Sequence, residues 1–271
     1  MRTAGARMIE LICVDVDGTL VGSSGDVAPE VWPAVERARE AGARLVICSG
    51  RPAFGLTRDL AERLDPQGWH VFQNGASIVH LPTGRSRSGH VPDDAIHMLV
   101  DRAGETGRIL ELYTDTEYAV ESTEDRARRH AGLLGVPFAP RPFGELRGAI
   151  VRAQWLVPLA EEAAVLVEPH DGLVLTPSTS PVMPDTAFIS LTAPGLDKAG
   201  AVRAVAGEYG IPLERVMMVG DGTNDLEAMR VVGFPVAMGN AAAEVRAVAR
   251  HHVGHVDRGG LVEALEYAAT L

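Results

Sequence analysis

Short apolar runs that alternate with stretches of helical spacing dominate the first quarter of the chain. The run at residues 11–14 contains no charged or hydroxyl side chain, which is typical of a strand buried on both faces of a parallel sheet. Apolar positions at helical spacing follow at residues 29–40 and 52–64, and further buried strands are predicted at residues 44–48 and 70–72. This βαβαβ order predicts an α/β fold with a doubly wound, mostly parallel sheet of the Rossmann-like kind.

The middle of the chain combines hairpins with helices. Strand-like runs at residues 109–113 and 118–120 flank the polar sequence TDTE, which predicts a hairpin. A segment rich in proline and serine, residues 176–185, separates two further predicted strands and is either a substrate loop or a plain connection. The strand-and-helix alternation of the opening then returns around residues 197–219. We therefore expect an α+β domain at residues 84–185, inserted into an α/β core formed by residues 1–83 and 186–271.

The composition is that of a globular protein and limits the classes of partner. Of 271 residues, 46% are hydrophobic and 23% are charged, and 25 basic against 36 acidic residues give a formal net charge of −11. Such an acidic chain argues against nucleic acid or an anionic membrane as the main partner. No apolar run approaches the ~20 residues of a membrane span. Cys13 and Cys48 lie within apolar runs, so we expect two buried, reduced thiols and a cytoplasmic location.

Two acids stand where the first predicted strand ends, in the sequence DVDGTL at residues 15–20. Ligands of open α/β sheets bind beyond the carboxyl ends of the strands. Asp15 and Asp17 are two residues apart, so their side chains point the same way if the strand geometry persists. Their mutual repulsion is costly unless a cation lies between them, and Gly18 allows a tight turn whose N–H can approach an anion. A solvated turn with incidental acids is the alternative interpretation.

A hydroxyl and a lysine stand at the starts of two predicted helices. Ser49 and Gly50 follow the second predicted strand, and a hydroxyl with a glycine N–H before a helix can hold an oxyanion or a phosphate. A plain Ser-Gly turn is the alternative. Lys198 begins a later helix, where a positive charge opposes the helix dipole. A role toward phosphate, with the side chain at a cleft, would explain that position, whereas a surface lysine is the alternative.

A second acidic sequence, GDGTND at residues 220–225, follows the apolar strand predicted at residues 216–219. Asp221 and Asp225 lie four residues apart across a strand-to-helix turn, and hard oxygen ligands on tight glycine turns suit Mg²⁺. A capped turn is the alternative, but it leaves two acids at a strand end unexplained. Taken together, these motifs predict phosphoryl transfer through an aspartyl phosphate, with Mg²⁺ stabilising the negative charge.

In these four motifs, which occur in order and extend over nearly the whole chain, the sequence resembles the haloacid dehalogenase (HAD) superfamily of phosphotransferases. The resemblance implies that Asp15 is the nucleophile and Asp17 the general acid and base. Ser49 matches the hydroxyl of the second motif and Lys198 the lysine of the third. The expected ligands for Mg²⁺ are Asp15, Asp17, Asp221 and Asp225. The expected phosphate-binding residues are Gly18, Ser49, Gly50, Lys198 and Asn224.

The position and type of the inserted domain narrow the resemblance. An α+β insert between the third strand and Lys198 is similar to the type IIB cap of the Cof-type branch. The sequences QNGA at residues 73–76 and VAMGNA at residues 236–241 are similar to further recurring segments of that branch. Two interpretations of Asn74 stay open, a residue that lines the site and a residue that only forms an Asn-Gly turn.

The resemblance implies a Mg²⁺-dependent phosphatase that acts on a small phosphorylated metabolite, for example a sugar phosphate. A phosphomutase of the phosphomannomutase kind, which uses the same phosphoaspartate chemistry, is the alternative among enzymes. A signalling receiver domain also uses a phosphorylated Asp, a hydroxyl and a Lys, but it is much shorter and lacks an acid pair of this kind. The cap could also serve as a partner-binding surface on a working phosphatase. We expect a monomer or a small homo-oligomer.

Overall fold

The apolar runs of the sequence form a five-stranded parallel sheet. From one edge to the other, its strands are β12 (His251–His252), β11 (Phe234–Ala237), β10 (Val216–Gly220), β1 (Leu11–Val14) and β2 (Arg44–Ile47). Each neighbouring pair is parallel, with β1 in register between β10 and β2. All residues of β1 and β10 are buried, as expected for strands that are covered on both faces.

Helices flank this sheet. The helices that connect or follow these strands along the chain are α1 (Val31–Glu40), α2 (Leu56–Leu64), α6 (Lys198–Tyr209), α7 (Leu226–Val231), α8 (Ala243–Val248) and α9 (Gly260–Thr270). Residues of α6, α7 and α8 share one apolar cluster with Leu11 and Cys13, which are alternate residues of β1. Helices α1 and α9 contact each other. Helix α1 also contacts β2, and helix α9 also contacts β10. The predicted doubly wound, mostly parallel α/β sheet is therefore confirmed.

The computed structural model describes residues 9–170, 172–180 and 182–271, so the first eight residues of the predicted core lie outside the described residues. The chain divides into two units. The first consists of Met1–Gly50, Leu60–Arg85 and Asp197–Leu271, and the second of Arg51–Asp59 and Ser86–Leu196. Among the described residues, no helix has both the length and the apolar character needed to cross a membrane.

The third predicted strand lies outside the five-stranded sheet. Strand β3 (Trp69–Phe72) pairs antiparallel with β4 (Ser77–His80), and its link to the parallel sheet is a single bridge between Cys48 and Val71. The second predicted helix also begins later than expected, because Gly55 has a φ of +60° and α2 starts at Leu56. A left-handed residue cannot continue a right-handed helix, so residues 52–55 form a loop.

The second unit is built on an antiparallel sheet. In spatial order its strands are β6 (Tyr118–Val120), β5 (Ile109–Tyr113), β7 (Arg152–Pro158), β9 (Met183–Thr192) and β8 (Val174–Ser180). Its helices are α3 (Asp93–Thr106), α4 (Asp125–Leu134) and α5 (Glu162–Leu166). The predicted TDTE hairpin joins β5 to β6, and the Thr114 N–H donates to the Glu117 carbonyl at 2.9 Å.

The segment at residues 176–185 is not a loop. Most of it belongs to β8 and β9, which pair from Val174 opposite Thr192 with a register shift between Thr179 and Ser180. Pro181 lies outside the described residues. Because β9 also pairs with β7, from Ala153 opposite Leu191 onward, its residues belong to the antiparallel sheet. The second unit accordingly runs to Leu196, past the predicted domain end at residue 185.

A buried histidine ring links β2 to the segment before β3. His70 is fully buried, and its Nδ1 accepts a hydrogen bond from the Ile47 N–H at 3.0 Å. Because that nitrogen accepts, the ring proton lies on Nε2, which donates to the carbonyl oxygen of Asp65 at 2.8 Å. The imidazole therefore satisfies two backbone groups at the place where the parallel ladder between β2 and β3 is reduced to one bridge.

We expect His70→Leu to destabilise the protein. The substitution leaves the Ile47 N–H without its ring partner, and an unsatisfied buried group costs about 1–3 kcal/mol. The Asp65 carbonyl loses the ring but keeps the bond from the Gly68 N–H at 3.2 Å. For a chain of this size, each kcal/mol lowers Tm by roughly 2–4 °C. The measurement is Tm by circular dichroism, with His97→Leu as control because His97 is exposed on α3. Equal Tm values for the two variants would contradict the bridging role of His70.

Candidate active site

The first acidic motif forms a tight turn directly after β1. Asp15 is only 5% exposed, and the N–H groups of Leu20 and Val21 both donate to the Val16 carbonyl. Gly18 has a φ of +85°, and a Cβ added there would lie 2.2 Å from Asp221 Oδ2. Only glycine satisfies both conditions, the left-handed backbone and the close approach. The turn therefore brings the first motif against the fourth.

Lys198 is buried between two carboxylates. It is the only lysine of the chain and is 1% exposed, so its interpretation as a surface lysine is wrong. We expected the side chain to lie at a cleft, but the structure buries it. Its Nζ donates to Asp15 Oδ1 and to Asp225 Oδ1, each at 2.6 Å. Helix α6 begins at this residue because the preceding Asp197 caps it, with its side chain accepting from the Gly200 N–H at 2.7 Å.

The fourth motif holds its two acids by different hydrogen bonds. Asp225 is fully buried, and its Oδ2 accepts from the N–H groups of Asp221 and Gly222 at 3.2 and 3.1 Å. A Cβ added at Gly220 would lie 2.3 Å from the same oxygen, which accounts for glycine at that position. Asp221 is half-buried, and its Oδ1 accepts from the Thr19 hydroxyl at 3.2 Å.

Asn240 is a site residue whose role the sequence left undecided. Its Nδ2 donates to the Gly18 carbonyl at 2.7 Å and to Asp221 Oδ2 at 3.0 Å, and its Oδ1 accepts from the Val256 N–H at 3.0 Å. One amide thus joins the first motif, the fourth motif and a third loop. The only sequence signal for it was its place in the segment VAMGNA, just after β11.

The second motif lies beside a turn that follows β3. Ser49 is fully buried, and its carbonyl accepts from the Asn74 N–H at 2.9 Å. A Cβ added at Gly50 would lie 3.2 Å from both polar atoms of the Asn74 amide. The exposed Asn224 donates through Nδ2 to Asn74 Oδ1 at 2.9 Å. The interpretation of Asn74 as a residue that only forms a turn therefore does not account for these contacts.

Three of the four expected metal ligands come together. Asp15, Asp221 and Asp225 each offer a carboxylate oxygen, and these oxygens lie within 4.8 Å of one another. The side chain of Asp17 is not in this group and is exposed. We expected it there on the assumption that strand geometry persists, but β1 ends at Val14 and the chain turns immediately afterwards, so the alternation of side chains is lost.

Like charges and burial shift the ionisation of this group. Burial, followed by the charge of Asp225, raises the pKa of Asp15 well above its usual range, although Lys198 opposes the shift. Burial and Asp225 also raise the pKa of Asp221 to about 6. Burial alone would lower the pKa of Lys198, but the charges of Asp15 and Asp225 outweigh it and raise that pKa. The two carboxylates therefore favour the charged form of Lys198.

The donor set fits a divalent cation. When all three carboxyl groups are ionised, one ammonium balances one of them, and two negative charges remain in a largely buried site. A divalent cation neutralises that excess, and hard carboxylate oxygens are the ligands that Mg²⁺ prefers. Both oxygens of Asp225 are already hydrogen-bonded, one to Lys198 and one to two backbone N–H groups.

Comparisons with known proteins agree with this geometry. The family model for haloacid dehalogenase-like hydrolases matches residues 12–133 and 178–265. The 5-amino-6-(5-phospho-D-ribitylamino)uracil phosphatase YcsE of Bacillus subtilis is 26% identical over 268 residues, covering 96% of this chain and 95% of that protein. The phosphoglycolate phosphatase of Methanothermobacter thermautotrophicus is 26% identical over 257 residues, covering 94% of this chain and 96% of that protein.

A solved structure extends the likeness to the fold. The HAD subclass IIB sugar phosphatase BT4131 superposes with a TM-score of 0.78 at 22% identity, covering 97% of this chain and all of that chain. The family match extends over well more than half of the present chain and includes the buried acids and Lys198. The predicted resemblance and the predicted enzyme class, a hydrolase of the phosphatase type, are therefore confirmed, and the chain belongs to the haloacid dehalogenase-like hydrolases.

Proposed function

We propose that this enzyme is a Mg²⁺-dependent phosphatase that hydrolyses a small phosphomonoester through an aspartyl phosphate on Asp15. The observation that carries the proposal is the buried Lys198 ammonium, which bonds to Asp15 and Asp225 at 2.6 Å each beside the half-buried Asp221. A carboxylate at a strand end with a fixed positive charge against one oxygen is suited to attack on a phosphorus atom. The same positive charge stabilises the transferring phosphoryl group.

In this proposal, Asp15 and Asp221 hold the metal, with Asp225 as the third carboxylate of the group. A bound Mg²⁺ supplies positive charge that reduces the repulsion between these carboxylates and a phosphate dianion. Asp225 also holds Lys198 through Oδ1, so its main task is to keep the ammonium in place. The side chain of Asp17 is not in this group of carboxylates, and we propose proton transfer as its role.

The reaction has two steps. In the first, an oxygen of Asp15 forms a bond to phosphorus while the bond from phosphorus to the substrate oxygen breaks, and Asp17 gives its proton to the departing alkoxide. In the second, Asp17 takes a proton from water, and the water oxygen attacks phosphorus and releases Asp15 and inorganic phosphate. We propose that Ser49, Gly50, Lys198 and Asn224 bind the phosphoryl oxygens. The N–H of Gly18, which we expected to approach the phosphate, donates instead to the Val21 carbonyl at 3.0 Å.

The substrate class is a small phosphomonoester of a polyol, a sugar or a hydroxy acid. The support is indirect: similar proteins are named for a phosphoribityl compound, for phosphoglycolate and as a sugar phosphatase. These names share a small phosphorylated compound and differ in the rest of the molecule. A panel of such esters with Mg²⁺, followed by release of inorganic phosphate, tests the proposal. An isomerised product without phosphate release would favour the phosphomutase alternative.

A cytoplasmic location is part of this proposal. The support is that Cys13 and Cys48 are both unpaired and fully buried, as predicted for core thiols. Unpaired cysteines are typical of proteins from reducing compartments.

One test of the proposed function concerns the metal. We expect activity to vanish in EDTA and to return with Mg²⁺, because the uncompensated carboxylates would otherwise repel the substrate dianion. Ca²⁺ should support little turnover, since its larger and looser coordination shell misplaces the nucleophile. Mg²⁺ should also raise Tm without substrate, a readout that is independent of turnover. Full activity in EDTA would contradict the proposed site.

Asn240 provides a finer test of the same metal site. Because its amide orients Asp221, Asn240→Ala should weaken Mg²⁺ affinity by roughly 10–100-fold, the usual effect of losing a residue that orients a ligand. Affinity is read from the dependence of Tm on Mg²⁺ concentration. Gln67→Ala serves as the control, since it truncates an exposed amide next to Asp65, before β3. Unchanged affinity in Asn240→Ala would mean that its amide does not orient a metal ligand.

Lys198→Met should lose both activity and stability. We expect kcat to fall by a factor of about 10² or more, because one major electrostatic contact to the phosphoryl group is lost. Removing the ammonium also leaves two buried carboxylates unpaired, which costs roughly 3–5 kcal/mol in EDTA. Arg215→Met, which breaks a partly exposed pair with Glu10, is the control and should change Tm little. A near wild-type kcat would remove Lys198 from the proposed mechanism.

Substitutions of the two acids of the first motif should impair different steps of the reaction. Asp15→Asn removes the nucleophile, so it should be inactive on every substrate and form no phosphoenzyme. Asp17→Asn lacks the proton donor. Because p-nitrophenolate leaves without being protonated, this variant should still complete the first step with p-nitrophenyl phosphate. With p-nitrophenyl phosphate it should release about one p-nitrophenolate per site in a burst and then turn over slowly. After acid quenching, the Asp17→Asn protein should carry an alkali-labile phosphate on Asp15.

Because Asp17 is exposed and Asp15 is buried, the Asp17→Asn protein should keep the wild-type Tm. A burst from Asp15→Asn and none from Asp17→Asn would reverse the two roles. Unchanged activity in both variants would show that the first motif is not the catalytic centre.

A further inference from the structure

The turn after β3 has an uncommon backbone. Three successive residues have positive φ: Gln73 at 52°, Asn74 at 54° and Gly75 at 100°. Among the described residues, Gln73 and Asn74 are the two non-glycine residues with positive φ. A non-glycine residue in this region costs on the order of 1–2 kcal/mol, with Asn the least disfavoured, so the surrounding contacts must hold the turn in place.

Those contacts reach three of the four motifs. The Asn74 N–H donates to the Ser49 carbonyl at 2.9 Å, and its side-chain amide lies against Gly50. A Cβ added at Gly75 would lie 2.1 Å from the carbonyl oxygen of Asp197, the residue before Lys198. From the fourth motif, the side chain of Asn224 donates a hydrogen bond to Asn74 Oδ1 at 2.9 Å. One short turn therefore lies against the second, third and fourth motifs.

We propose that Asn74 is a positioning residue that orients the amide of Asn224 for phosphate binding; this inference rests on the proposed function. A side-chain amide has two N–H groups, and Asn224 donates one of them to Asn74 Oδ1. Because an amide is planar, that bond also sets the direction of the second N–H. Asn224 is exposed, and its amide group can rotate about the side-chain bonds. Without Asn74 the amide therefore samples several orientations.

A purely structural role for Asn74 makes a different prediction. If Asn stands at this position only because it tolerates a positive φ, glycine should replace it without loss, since glycine adopts this φ freely. Asn74→Gly keeps the backbone and removes the amide, so it separates the two roles. We expect its Tm and circular dichroism spectrum to match those of the wild-type protein. An unfolded Asn74→Gly protein would show that the amide is required for folding and would overturn the proposal.

The test measures binding of phosphate and turnover of p-nitrophenyl phosphate in the full-length Mg²⁺-loaded protein. For Asn74→Gly we expect KM and the inhibition constant of inorganic phosphate to rise together by about 3–10-fold. The kcat should stay within about 2-fold, because a contact made equally in the ground state and the transition state is weakened. Wild-type values for both KM and phosphate inhibition would overturn the positioning role.

A double-mutant cycle identifies the residue through which Asn74 acts. Asn224→Ala removes the oriented amide itself, so adding Asn74→Gly to it should change KM no further. Fully additive effects would show that Asn74 acts independently of Asn224 and would overturn the proposal. If the wild-type protein shows no phosphatase activity, the proposed function fails, whereas the rise in Tm with inorganic phosphate still reports on Asn74. A smaller phosphate-induced rise in Asn74→Gly than in the wild-type protein would then support the inference, and an equal rise would overturn it.

Discussion

The sharing of one buried ammonium by two buried carboxylates is the interaction on which the first unit depends. Removing three charges from water is expensive, and the attraction between them repays that cost only when the geometry is close and complete. Here Lys198 meets both Asp15 and Asp225 at 2.6 Å. The three residues come from the end of β1, the start of α6 and the turn after β10. Their contact therefore ties together segments that are far apart in the sequence.

Glycines make this approach possible. Side chains at Gly18 and Gly220 would overlap the carboxylates of Asp221 and Asp225, and a side chain at Gly75 would overlap the carbonyl before Lys198. These positions allow the loops at the carboxyl ends of the strands to come closer than ordinary residues permit. The excess of negative charge that results is suited to a divalent cation. Burial, followed by the charge of Asp225, raises the pKa of Asp15 and of Asp221.

Two asparagines stabilise the loops around this charged centre. Asn240 joins the first and fourth motifs on one side, through Gly18 and Asp221. On the other side, Asn74 joins the second and fourth motifs, through Ser49 and Asn224. Neutral amides can both donate and accept, so they hold loops in place without adding charge to a site that already has too much of one sign.

The amino-acid sequence by itself determined the layers of the core and the chemistry of its motifs. Fully apolar runs with no helical spacing, such as β1 and β10, have few alternatives to a buried strand, and acids directly after them must lie at the carboxyl edge of a parallel sheet. The predicted bounds of β1, β5 and β6 agree with the structure. Here the short-range pattern was sufficient, because strand and helix formation depend on neighbouring residues.

Only the tertiary structure decided which of these groups meet. It separated Asp17 from the other acids, because the chain turns directly after β1, and it placed residues 183–192 in the antiparallel sheet through pairing with β7. The burial of Lys198 and the amide contacts of Asn74 and Asn240 also join residues from different motifs. The direction of a side chain in a turn, and its partner across the fold, depend on long-range packing that local hydrophobic patterns do not encode.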